Sequence, residues 1–259
     1  MYFETPVNPT LQRFDIAAIR SVLDNVNQRR KHPIRIIVDN TFATPYCQRP
    51  LAHGATIVIH NLTKDLGGFG TDMGGAVIAS KDLHGLLMLY RKDVGGVLSP
   101  KSAWAFLVYG LPTLATRLAN QQKSAMKIAS FLEECPYIAR VSYPGLESFP
   151  QRTLALKQMV DEQGRFAPGS VLYFTLKKNG ADNRKAEALV DYLAEHSYTI
   201  TLAVSLGQIK TLIENPYAMT HAALPEAEKP AKGIEPGGIR LSVGLEDWHD
   251  IIGDLNWCP

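Results

Sequence analysis

Apolar residues follow two rhythms along the chain, and their alternation outlines an architecture. From Phe14 to Arg30 the positions Ile16, Ile19, Val22, Leu23 and Val26 recur at helical spacing, which predicts an amphipathic helix with these residues on one side. The rhythm then changes. Ile34-Arg35-Ile36-Ile37-Val38-Asp39 and Thr56-Ile57-Val58-Ile59-His60 are near-continuous apolar runs, as in strands buried on both faces. Between them lies a short crossover through Gln48 to His53, punctuated by Gly54. Strand, crossover and strand predict a parallel βαβ unit, which places ligands at the carboxyl ends of its strands. Asp39 stands at one such end, and Asn61-Leu62-Thr63-Lys64 at the other.

Residues 65–75 are glycine-rich, and Ala76-Val77-Ile78-Ala79 predicts a further strand. Tyr90-Arg91-Lys92-Asp93 reads as a solvated face. From Lys101 to about Glu134 the pattern is mostly helical, interrupted around Gly110-Leu111-Pro112, as in a long connector between domains. Beyond it, residues 139–143, 170–176 and 238–243 predict strands, and Asn183 to about His196 predicts an amphipathic helix. The division expected is a large α/β domain over residues 1–118 and a small α+β domain over 119–259. The aromatic, Pro-rich opening Met1-Tyr2-Phe3-Glu4-Thr5-Pro6 resembles the inside of a domain.

Composition narrows the function classes. The 259 residues are 46% hydrophobic and 20% charged, ordinary for a soluble globular protein. A formal charge of +2 gives no electrostatic case for nucleic acid or an anionic membrane as partner. Cys47, Cys135 and Cys258 are widely spaced and form no CxxC, so neither a disulfide framework nor a zinc site is indicated. A reducing cytoplasm is the expected compartment. The histidines show no HxH or HxxxH spacing, so no metal is expected. Gly67-Gly68-Phe69-Gly70 lacks the GxGxxG spacing of a dinucleotide fingerprint.

The chemistry-bearing cluster is Lys64 with its neighbours. A partly buried lysine amine loses its charge readily and forms Schiff bases with aldehyde cofactors. Thr63 and Asn61 are placed to hydrogen-bond a phosphate, and Asp39 to pair with a protonated ring nitrogen. On spacing alone, Lys and Asp at strand ends also fit solvated caps.

The surrounding residues change that weighting. Val38-Asp39-Asn40-Thr41-Phe42-Ala43-Thr44-Pro45-Tyr46, Gln48-Arg49-Pro50-Leu51 and Gly54-Ala55 closely resemble the Cys/Met-metabolism family that depends on pyridoxal 5'-phosphate (PLP). The opening Tyr2-Phe3-Glu4-Thr5-Pro6-Val7-Asn8-Pro9 is similar to that family's Glu-Thr/Ser-Pro-x-Asn-Pro motif. Ser205-Leu206-Gly207, Met219-Thr220-His221-Ala222 and Ile239-Arg240-Leu241-Ser242-Val243-Gly244-Leu245-Glu246-Asp247 match further motifs in the same order. The resemblance implies a PLP-dependent transferase fold of the aspartate-aminotransferase type, with a large α/β domain and a small α+β C-terminal domain. It implies Lys64 as Schiff-base lysine and proton carrier, Asp39 on the pyridinium nitrogen, and Thr63 and Asn61 on the phosphate. Asn8 would lie near the cofactor hydroxyl and substrate carboxylate, with Arg240 and Ser205 holding that carboxylate. His221 is a candidate for the substrate entrance.

The implied activity is elimination or replacement on a sulfur-containing amino acid, as in methionine or cystathionine γ-lyase. O-acetylhomoserine sulfhydrylase and cystathionine γ-synthase, acting on O-acylated substrates, are the alternatives, and a non-catalytic fragment is an alternative of another class. A homo-oligomer is the default assembly. Two local departures stand out: Asn61 occupies a position usually held by Ser, and Asp65-Leu66-Gly67-Gly68-Phe69-Gly70 departs from the common Lys-Tyr-x-x-Gly-His pattern. In family members a long segment precedes the Glu-Thr-Pro motif, so by resemblance the large domain is expected to be incomplete at its N-terminus.

Overall fold

A computed structural model describes residues 1–177 and 185–256, which form two sheets linked by one long helix. The first sheet holds β1 (Tyr2–Glu4), β2 (Ile37–Asp39), β3 (Ile57–Asn61) and β4 (Gly75–Ala79), in that order. β1, β2 and β3 run parallel, so the expected parallel unit is present, while β4 returns antiparallel to β3. The first of its strands is shorter than the apolar run suggested. Ile34 bonds through its backbone to the Asn27 side chain, and the Ile36 amide donates to Thr56 Oγ1, so neither residue donates to a strand ladder. The neighbouring β1 is only three residues long and pairs with Ile37 to Asp39 alone.

Between β1 and β2 runs α1 (Ile16–Asn27), opened by Asp15, whose carboxylate accepts from the Ala18 amide at 2.9 Å. Ile16, Ile19 and Leu23 pack with Phe3, Ile36, Val38 and Val58 in one core. Val22 and Val26, expected on the same side, are exposed. They lie roughly 60 to 120° round the axis from Ile16 and Leu23, beyond the reach of a four-stranded sheet. After β2 comes the short α2 (Thr44–Cys47), and beyond β4 come α3 (His84–Asp93), α4 (Pro100–Ala105) and α5 (Leu111–Glu134). The interruption read at Gly110-Leu111-Pro112 is a π-type turn over Phe106–Gly110. Pro112 sits in the first turn of α5, where its missing amide costs nothing.

The second sheet has the order β5-β6-β9-β8-β7. Its strands are β5 (Ile138–Ser142), β6 (Val171–Leu176), β7 (Ile200–Leu202), β8 (Thr211–Glu214) and β9 (Gly238–Ser242). α6 (Arg152–Gln158), α7 (Lys185–His196) and α8 (Trp248–Leu255) complete the chain, and Asn183, Arg184 and Cys258 lie outside the described residues. α5 enters both cores. Its Leu114 and Leu118 pack with Ala43, Cys47, Leu62 and Phe106, while Ala125, Ile128 and Leu132 pack beneath the second sheet. One rigid helix therefore carries the relation between the two sheets.

Apolar exposure is uneven. α3 buries none of its residues, and Leu86, Leu89, Val94, Val97, Trp104 and Leu107 are exposed within one stretch of chain. Val77 and Ile78 of β4, an edge strand, are exposed as well. Among the described residues no helix is long and apolar enough to cross a membrane, and no cluster of His, Cys, Asp and Glu could hold a metal. Cys47 and Cys135 are buried free thiols.

Candidate active site

The carboxyl ends of β2 and β3 open on a cavity of about 200 Å³, walled by Asn8, Asp39, Phe42, Asn61, Lys64 and Arg240 among others. Parallel pairing places Asp39 beside Ile59, so the two strand ends lie close together. Asp39 is fixed on both oxygens: the Thr41 amide donates to Oδ1 at 3.0 Å and the Tyr2 hydroxyl to Oδ2 at 3.2 Å. Burial, then the Asp39 charge, push the Tyr2 phenol up to about 12. Tyr2 therefore stays a hydrogen-bond donor at ordinary pH.

Asn61 closes β3. Its amide donates to Thr41 Oγ1 at 2.9 Å, and its side-chain oxygen accepts from the Thr63 amide at 3.0 Å, opening a π-type turn over Leu62–Leu66. Within that turn Lys64 has a non-helical backbone (φ −87°, ψ −142°). Its Nζ donates to Ser205 Oγ at 2.8 Å, and no ion pair holds it among the described residues. Burial, then the positive charge of Arg240, lower the pKa of its amine, partly offset by Glu214 and Asp65. The uncharged, nucleophilic form is thereby favoured.

Arg240 sits in β9, almost fully buried. Nη1 donates to Asn8 Oδ1 at 2.9 Å and pairs with Glu214 Oε1 at 2.9 Å, while Nη2 donates to the Ser205 carbonyl at 2.8 Å. Thr220 Oγ1 also donates to Glu214 Oε1, at 3.0 Å. Ser205 thus joins Lys64 from the first sheet to Arg240 from the second, by its hydroxyl and its carbonyl.

Of the residues singled out from sequence, Asn8, Asp39, Asn61, Lys64 and Arg240 line this one cavity, and Ser205 links two of them. Thr63 stands apart. Its hydroxyl accepts from the Gly74 amide at 3.2 Å, and it lines a neighbouring cavity of about 500 Å³ with Phe69, Trp104 and Tyr109. His221 does not line the Lys64 cavity; its Nδ1 lies 3.1 Å from Thr220 Oγ1. Sequence reading missed Glu214, Glu4 and Phe42. Thr211-Leu212-Ile213-Glu214, a short apolar run before Asn215-Pro216, carried the signal of a strand ending on a carboxylate.

The profile of the Cys/Met metabolism PLP-dependent enzymes matches residues 1–258. The chain belongs to this family. It is 41% identical over 257 residues to an L-methionine gamma-lyase of Fusobacterium nucleatum subsp. polymorphum, covering 98% of this chain and 60% of the relative. It is 40% identical over 256 residues to a cystathionine beta-lyase of Lactococcus lactis subsp. cremoris (strain MG1363), covering 98% and 62%. The crystal structure of a cystathionine gamma synthase from Xanthomonas oryzae pv. oryzae, in complex with aminoacrylate and cysteine, superimposes with a TM-score of 0.86. Identity to it is 34%, over 98% of this chain and 61% of that one. The chain therefore has the fold of these enzymes and spans about 60% of the length of the relatives it matches.

Proposed function

We propose that this chain carries the lysine-bearing part of a PLP-dependent enzyme that eliminates or replaces the sulfur substituent of an amino acid. One observation carries this reading: an amine with a lowered proton affinity, a doubly anchored carboxylate and a buried guanidinium converge on one cavity. The donor set suits the cofactor. Lys64 is bonded to a hydroxyl rather than a carboxylate, so its lone pair is not locked away in an ion pair.

When bound, PLP supplies an electron sink that makes protons beside the amino group of an amino acid acidic. The chain's own residues would do the rest. Lys64 Nζ would hold the cofactor, then take the proton from substrate Cα and move it. Asp39 would accept a hydrogen bond from the ring nitrogen, and the Asn61 amide would donate to the phosphate, with Thr63 on the far side of the same turn. Arg240 would clamp the substrate carboxylate, which would take the place of Asn8 Oδ1 on Nη1, a task suited to a planar guanidinium. The half-buried setting excludes water and strengthens each of these contacts.

The substrate class is a sulfur-containing amino acid, with methionine or cystathionine as the γ-lyase substrates. O-acetylhomoserine sulfhydrylase and cystathionine γ-synthase chemistry uses the same residues and differs in which nucleophile ends the reaction. Buried thiols at Cys47 and Cys135 suit a reducing compartment such as the cytoplasm. The exposed apolar side chains of α3, α4 and β4 support a homo-oligomer or another covering chain in the active assembly. The same exposure favours a second reading, in which the isolated chain is a non-catalytic fragment.

The test is an absorbance titration of the purified chain with PLP, followed by borohydride reduction and peptide mapping. A cofactor band fixed onto the Lys64 peptide, with 2-oxo acid and thiol released from methionine or cystathionine, is the expected result. A band without turnover supports the second reading. No band, or label on another lysine, overturns the assignment of Lys64.

A further inference from the structure

Behind Lys64 lies a sealed carboxyl that the proposed chemistry does not use. Asp65 is 1% exposed, and among the described residues neither of its oxygens has a hydrogen-bond partner on another residue. An unpaired buried polar group costs free energy that folding must recover elsewhere. This one occurs at the residue following the candidate cofactor lysine.

The surroundings of Asp65 are built rather than loose. Arg117 of α5, itself buried, donates from Nη2 to the Asp65 carbonyl at 2.8 Å and to the Gly110 carbonyl at 3.0 Å. Its Nε donates to Thr113 Oγ1 at 3.0 Å, and its Nη1 has no hydrogen-bond partner among the described residues. Gly68 (φ +78°) lies against that guanidinium: a Cβ there would fall 2.3 Å from Arg117 Nη1. On the other side Gly207 (φ +69°) presses on Asp65, since a Cβ at Gly207 would fall 2.5 Å from Asp65 Oδ2. Two glycines in the left-handed region thus wall in one carboxyl and one guanidinium.

Gly207 ends the Ser205-Leu206-Gly207 loop, whose Ser205 receives Lys64 Nζ. Asp65 is therefore coupled to the Lys64 amine in two ways, by charge and by contact with the loop that bonds it. The charged and titratable groups around it are Lys64 on its own turn, Arg117 from α5 and the Cys47 thiol from α2. Gly207 brings no side chain from the facing loop.

We propose that Asp65 is a positioning residue, a buried counter-charge behind the Lys64 turn that adds to Glu214, against Arg240 and burial, in holding a proton on the Lys64 amine. The proposal rests on the reading of Lys64 as the cofactor lysine. When Asp65 is ionised it holds Lys64 as ammonium and tightens its bond to Ser205; when Asp65 takes up a proton, Lys64 releases its own more easily. Burial pushes the Asp65 carboxyl up to about 7, while the Arg117 charge, its own backbone amide and then the Lys64 charge pull it down, so the change falls near neutral pH.

The experiment needs no cofactor. Trace acylation of the full chain with acetic anhydride, read by mass spectrometry at the Lys64 peptide over a pH series, reports the amine directly. In Asp65→Asn, Lys64 should label about tenfold faster at mildly alkaline pH, equivalent to its pKa falling by about one unit. Surface lysines such as Lys92 should be unchanged. An unaltered Lys64 profile in a folded Asp65→Asn chain overturns the proposal and leaves Asp65 a packing residue. Should that variant fail to fold, infrared difference spectra of the unchanged protein decide the matter. A buried protonated carboxyl that disappears over the pH range in which Lys64 labelling changes supports the coupling, and a carboxyl already ionised at acidic pH overturns it. Failure of PLP to bind would remove the proposed function but leave this coupling measurable.

Discussion

Arg240 and Glu214 face each other across antiparallel neighbours β9 and β8, Nη1 2.9 Å from Oε1, with side chains 2% and 1% exposed. Strand register alone places them opposite one another. Burial raises the Glu214 carboxyl, and the Arg240 charge offsets that rise. Removing one partner of such a pair strands the other in a poorly solvating interior, at a cost of about 3–5 kcal/mol. Arg240→Met should destabilise the fold by that order. The double variant Arg240→Met with Glu214→Met should recover much of the loss, a coupling read from urea unfolding. A single-variant loss below about 1 kcal/mol would show that the pair is hydrated in solution.

Ser205 serves two bonds through two different atoms, which makes them separable. Ser205→Ala deletes the hydroxyl that accepts from Lys64 and keeps the carbonyl that accepts from Arg240. A lost hydrogen bond of this kind is worth about 1 kcal/mol, or roughly fivefold in an equilibrium. The variant should change PLP affinity by about that factor and leave the KM for amino-acid substrate nearly unchanged. An equal effect on both would mean that the loop has moved as a whole.

Among the described residues the Arg13 side chain is a charge without a hydrogen-bonded partner. All three guanidinium nitrogens are buried and unbonded, its carbon lies 6.0 Å from the centre of the Phe149 ring, and burial lowers its pKa to about 9. The unfolded chain therefore holds this proton more tightly than the folded one above about pH 9, so stability contributed here rises as pH increases through that value. Below pH 9 both states are charged and the full burial cost remains. Arg13→Met should stabilise the protein at neutral pH by about 1–3 kcal/mol and abolish the rise above pH 9. Thermal melts across that range check both halves of the claim, and a destabilised Arg13→Met chain would count against it.

What the sequence disclosed follows from how local the physics is. β2, β3 and β6 were legible because a buried strand needs consecutive apolar residues, and α5 because Leu114 to Leu132 repeats at helical spacing. Lys64, Asp39 and Arg240 were legible through their motifs. β1 and β7 were not, since three residues between turns carry too little period to register. Glu214 escaped because its role exists only once β8 lies beside β9. Asp65 escaped for the opposite reason: a charged residue beside a lysine suggests solvent, and only the packing of Gly207 and Arg117 shows it sealed. Periodicity puts Val22 and Val26 on one side of the helix with Ile16 and Leu23, but it gives a helix its face and not the width of the sheet beneath it.

The exposed side of α3 tests how the chain behaves on its own. Leu86 and Leu89 are each 51% exposed on a helix that buries nothing, beside Val94 at 74%. Clustered apolar surface of this kind drives association. The purified chain should self-associate with rising concentration and bind a hydrophobic dye. Leu86→Gln with Leu89→Gln should reduce both effects, because Gln keeps helix propensity close to that of Leu while solvating the face. Thermal stability should change by less than about 0.5 kcal/mol, since neither side chain contributes to a core. Sedimentation velocity and dye fluorescence on the two chains give the answer. A loss of stability well beyond that limit would mean that these leucines are covered in solution, and that α3 already has a partner.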